Sequence, residues 1–118
     1  MANELTVSCS LRFSKSGREA SKAYGGIQLT VTGDAWVFAV QNIAITEEAI
    51  GLGDVGTPGF MIAKNLDSTN YLSLRPGTGT ANAVKMKAGE PCLFRISTAP
   101  WAIANTAACD LEYLIIED

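Results

Sequence analysis

The side chains able to carry chemistry are few. Cys9, Cys92 and Cys109 are the candidate nucleophiles and soft metal ligands, and the adjacent acids Glu47-Glu48 and Glu117-Asp118 are the candidates for acid–base work. The chain has no histidine, so the commonest general base and metal ligand is missing, and no Ser-His-Asp or Cys-His arrangement can be assembled. A zinc site would need closely spaced sulfur or imidazole ligands, and no C-x-x-C pair occurs. Cys9 and Cys92 stand within runs that alternate apolar and polar residues, where a thiol stays protonated and inert. All three cysteines therefore read as reduced, half-buried thiols.

The acids fare no better. Neighbours on a strand point to opposite faces, so neither pair presents two carboxylates to one site as a glycosidase requires. Asp67-Ser68-Thr69-Asn70 offers one carboxylate and three turn formers, which predicts a plain turn rather than a calcium loop. Gly51, Gly53 and Gly56 match neither a dinucleotide nor a phosphate-loop spacing. The expectation is a non-enzymatic protein with no cofactor and no metal.

The elements around these residues are strands. In ELTVSCSLRF, Leu5, Val7, Cys9, Leu11 and Phe13 alternate with polar residues, the period of a strand with one buried face. The polar stretch from Ser14 to Gly26 lacks apolar periodicity and reads as a loop, and IQLTVTGD follows as a strand. AWVFAVQNIAIT is more continuously apolar and reads as a strand covered on both sides, with Trp36 in the core. Glu47 to Gly59 reads as an irregular surface loop, and Phe60 to Arg75 as one hairpin turning at LDSTN.

In VKMKAGEPCLFRIS, the spacing predicts two strands joined by AGEP, with Pro91 at a strand start where its missing N–H is tolerated. That hairpin would bury Val84, Met86, Cys92, Phe94 and Ile96 on one face and present Lys85, Lys87 and Arg95 on the other. STAPWAIANTAA reads as a loop, and CDLEYLIIE as a final strand. About eight strands with no helix, and turn signals recurring roughly every 8–15 residues, predict an all-β fold: an antiparallel β-sandwich, jelly-roll-like, in a single domain over residues 1–118.

Composition narrows the partners. Charged residues make up 18%, below the usual quarter or so, which argues against disorder and for some surface being covered by a partner. Nine basic residues are scattered through a chain of net charge −3, so a nucleic-acid footprint is not expected. No apolar run is long enough to span a bilayer, so no membrane is expected. MANELTVSCS has neither a basic start nor an apolar h-region, so no secretory signal is expected.

Three blocks, GFMIAKNLDSTNYLSL, VKMKAGEPCLFRI and ANTAACDLEYLIIED, fall in order over residues 59–118. This half of the chain resembles small virion structural proteins of tailed bacteriophages and prophages, departing from their pattern at Cys92 and Cys109. The resemblance implies a β-sandwich subunit of the particle with no catalytic residues to carry over.

In its most specific form, the implied protein is a capsid decoration or cement subunit. It would bridge and stabilise the phage major capsid protein as a homo-oligomer, a dimer or trimer, on the outer capsid surface of the virion after synthesis in the host cytoplasm. The alternatives are a tail fibre or baseplate subunit, or a host-glycan-binding sandwich using Trp101, Tyr71 and the Asp67 to Asn70 turn. The long loops supply the candidate contact residues Lys15, Arg18, Lys22, Glu47, Glu48 and Asp54, and Trp101, beside Pro100, is the candidate aromatic contact.

Overall fold

The structure, a computed structural model, describes residues 3–118. Residues 1 and 2, the first of the MANELTVSCS stretch, lie outside the described residues. The protein is all-β and antiparallel, with ten strands and no helix among the described residues. The sequence reading put all 118 residues in one sandwich. The chain divides into two compact units, the first ending at Thr32 and the second being Gly33–Asp118.

The first unit is a two-stranded ribbon of β1 (Leu5–Lys15) and β2 (Arg18–Leu29). The expected loop from Ser14 to Gly26 is therefore a tight turn followed by strand. Ser16 and Gly17 form a two-residue connection with positive φ at both positions (51° and 77°), the twist that matches a right-handed hairpin. The register shifts once, between Val7 and Cys9, where Gly25-Gly26 supply an extra residue opposite Ser8 and the Gly26 N–H donates to Ser8 Oγ at 3.0 Å. Polar side chains on β2 concealed the strand, because its backbone is satisfied by β1 rather than by burial.

The second unit is a sandwich of two four-stranded sheets. One runs β3 (Trp36–Ile43), β10 (Cys109–Glu117), β5 (Pro58–Asn65), β8 (Pro91–Arg95). The other runs β4 (Glu48–Ala49), β9 (Trp101–Ala104), β6 (Leu72–Arg75), β7 (Val84–Met86). The pairings join β3 to β10, β4 to β9, β5 to β8 and β6 to β7. A long antiparallel ribbon turned back at β6–β7 and rolled over on itself gives this set. Two further ladders, β10 with β5 and β9 with β6, close each sheet.

That winding overturns two expected hairpins. β5 and β6 do not pair, and neither do β7 and β8; each couple is split between the sheets. The side chains grouped in VKMKAGEPCLFRIS still share the interior, but they meet across it: Cys92 Sγ lies 3.8 Å from Met86 Sδ of the facing sheet. Lys85 and Arg95 accordingly sit on opposite outsides of the sandwich, over the rings of Tyr71 (4.2 Å) and Phe60 (4.7 Å), so no single cationic face forms. STAPWAIANTAA is also not a loop throughout, since β9 runs through it. Ala102 and Ala104 point inward with almost no exposure, and their smallness is what hid the strand.

Inward rows set the core: Val37, Ile115, Met61 and Phe94 across one sheet, Ala104, Leu72 and Met86 across the other. Gly59 faces the end of β10, where the register shifts between Ile115 and Glu117. A Cβ there would lie 3.1 Å from the Ile116 carbonyl oxygen. The corner where the chain changes sheet after β5 is held by Asn65, which is fully buried. Its Nδ2 donates to the carbonyls of Asn70 and Met86, each at 3.0 Å, and its Oδ1 accepts from the Asp67 N–H at 3.0 Å. Its backbone N–H donates to the Glu90 carbonyl, and its own carbonyl accepts from the Gly89 N–H, again at 3.0 Å each.

Asn65→Asp keeps the shape but turns two donor contacts into oxygen-to-carbonyl repulsions around a buried charge. It should lower the unfolding free energy by about 3 kcal/mol or more at pH 7, measured by urea unfolding. The introduced carboxyl has a folded pKa raised by its burial, so the loss should shrink as pH falls toward 5 or so.

Candidate functional site

The chemistry-bearing residues do not converge. No group of three or more Cys, Asp or Glu among the described residues is placed to hold a metal ion. Cys109 is fully buried and its thiol is pushed up by desolvation, with Asp67 and Asp110 adding to the effect. Burial raises the Cys92 thiol to about 11. Cys9 departs from its expected half-buried place: it is exposed on the two-stranded ribbon.

The carboxylates serve the loops. Glu47 accepts from Thr78 Oγ1 at 2.7 Å, from the Gly79 N–H and from Arg75 Nη1 at 2.8 Å. Thr78, Gly79 and Arg75, in that order, hold its carboxyl below the usual range. Glu48 accepts from Gln41 Nε2 at 3.0 Å, and Gln41 Oε1 accepts from the Gly51 N–H. Glu117 accepts from the N–H groups of Gly56 and Ala35, which also lower its pKa. Glu47 and Glu48, expected as contact residues, are thus committed within the chain, whereas Asp54 is exposed.

Trp101 is half-buried in β9, beside Arg75 and Ala49, rather than in a loop. Tyr71 has Lys85 over its ring, and the Asp67 carboxylate accepts from the N–H groups of Thr69 and Asn70 (2.9 and 2.6 Å) in a plain Asx turn.

What the fold does assemble is apolar surface. Trp36, expected in the core, is 63% exposed, because the inward phase of β3 is Val37 and Ala39. Register places Trp36 with Ile116 on the outer face of its sheet. The next outer row is Phe38, Leu114, Ile62 and Leu93, and the following row is Val40, Glu112, Lys64 and Pro91. Phe38, Val40 and Ile62 are each about half exposed. A shallow depression of about 280 Å³ lies among them, lined by Phe38, Ile62, Leu114 and Pro91 with Glu112 and Lys64 at its lip.

The ribbon has a comparable face. Leu5, Val7, Cys9, Leu11 and Phe13 share one side with their partners Leu29, Ile27, Tyr24, Lys22 and Ala20. Leu11 is 78% exposed and Phe13, Tyr24 and Ile27 about half exposed, while Leu5, Val7 and Leu29 are half-buried, so the face expected to be buried is open to solvent over its turn-side half. Lys15, Arg18 and Lys22 are exposed near its turn. The alternation that located these faces was legible; the exposed sheet face itself was missed, because Trp36, Phe38 and Val40 read as core.

Comparison with known protein families, with curated proteins and with solved structures found no match.

The lowered carboxylates set a pH dependence. Each has a folded pKa below its ordinary value, so its hydrogen bonds stabilise the fold above about pH 4.5 and are lost as pH falls through the folded value. Thermal midpoints followed by circular dichroism should hold from pH 7 to about 4.5 and then decline. Glu47→Gln should lower the neutral-pH midpoint and make the acid decline shallower.

Proposed function

We propose that the chain is a non-enzymatic structural subunit of a tailed-phage virion, specifically a capsid decoration or cement subunit that bridges major capsid proteins. The observation that carries this reading is the apolar outer sheet face of Trp36, Phe38, Val40 and Ile62, open to solvent on a rigid sandwich. A contiguous apolar face of this kind marks a protein-contact surface. The ribbon supplies a second such face, and the carboxylates that could have served catalysis are engaged in holding loops. A subunit of this form works by modest contacts repeated around a particle, where linkage of sites raises the overall grip.

Purified chain mixed with expanded capsids of the parent phage should co-sediment with them and raise their thermal disruption temperature. Absence from the capsid pellet, with labelling of the tail in imaged particles, would replace the cement role by a tail-associated one.

A further inference from the structure

The two uncovered apolar faces differ in charge. Up to Thr32 the chain carries four bases and two acids, net +2, while Gly33–Asp118 carries five bases and ten acids, net −5. The local pattern repeats the contrast. On the ribbon, Leu11 stands directly opposite Lys22, and the apolar row ends in the Lys15–Arg18 pair. On the outer sheet face, the Phe38, Leu114 and Ile62 row is followed by Glu112, with Lys64 beside it, and then by Asp110 paired with Asn42. We propose that the ribbon of one copy packs its apolar face onto the outer β3-β10-β5-β8 face of a second copy, Leu11 entering the depression between Phe38 and Ile62 and Lys22 meeting Glu112.

Three considerations favour this occupant. A two-stranded ribbon alone is marginal in water, so its apolar face needs a cover. Ribbon on ribbon would leave the sheet face open, and sheet on sheet would leave the ribbon open and oppose net negative units. Ribbon on sheet covers both and joins opposite charges. The area is also adequate. Eleven strand residues span roughly 37 Å, and two strands about 10 Å, so one contact covers roughly 370 Å² per side. In a reciprocal dimer each copy gives one ribbon and receives one, about 740 Å² per partner, close to the ~800 Å² per partner of a specific interface. The reciprocal pair is a two-fold dimer, closed on itself.

This rests on the structural-subunit reading and adds the surface that joins the copies. It is measured on purified chain without capsids, so its failure is distinct from a failure to bind them. The molar mass is read by light scattering, Cys9 by native iodoacetamide labelling, and Trp36 by iodide quenching in a Trp101→Phe background. The native chain should be a closed oligomer with Cys9 and Trp36 both protected. Leu11→Asp should give a monomer with native circular dichroism, since no ribbon residue belongs to the core, and Cys9 labelling should quicken roughly tenfold. Lys22→Glu and Glu112→Lys should each weaken the oligomer, and the double exchange should restore it.

A monomer with both probes exposed would overturn the proposal. So would a monomer with both protected, in which the ribbon covers its own chain, or an oligomer that survives Leu11→Asp.

Discussion

The sandwich depends on a buried amide at one of the corners where the chain changes sheet. Between β5 and β6 it leaves one layer for the other, and between β7 and β8 it returns. Both passages expose backbone groups that no ladder satisfies. Asn65 meets them from a fully buried position, with Nδ2 on the carbonyls of Asn70 and Met86, Oδ1 on the Asp67 N–H, and its own backbone on Gly89 and Glu90. An apolar residue there would leave carbonyls orphaned in the interior, where an unpaired polar group is costly. The winding of the ribbon, and with it the facing of Met86 and Cys92, follows from that corner.

Local alternation made much of this legible. β10 was read at its observed bounds, CDLEYLIIE, because a strand buried on one face and flanked by two others shows the period clearly. The start of β8 at Pro91 followed from the missing N–H of proline. What alternation cannot say is which neighbour a strand takes. Gly89 and Pro91 look the same in a hairpin as in a crossing between layers, and the deciding contact, from Asn65, comes more than twenty residues earlier in the chain. Nor does alternation say what covers a face. Leu5 to Phe13 and Trp36 to Val40 have the spacing of buried residues, yet Leu11, Phe13, Trp36, Phe38 and Val40 are open to solvent.

The distribution of polar and apolar groups separates support from contact. The acids Glu47, Glu48 and Glu117 and the base Arg75 fasten loops to the sheets, so charge that looked available for a partner is occupied at home. The apolar residues left open to solvent are instead those that resemble core. A low charged fraction, first visible in the composition, is the same fact seen from the sequence: less polar covering than an isolated domain carries.

The rolled ribbon has one more consequence. Because β3 and β10 lie side by side, the Gly33 N–H donates to the Asp118 carbonyl at 3.0 Å and the Glu117 N–H to that of Ala35 at 3.0 Å. The second unit therefore begins and finishes at one spot. A module whose two ends coincide can be re-cut at a different loop, or spliced whole into the loop of a host domain, without unwinding either layer.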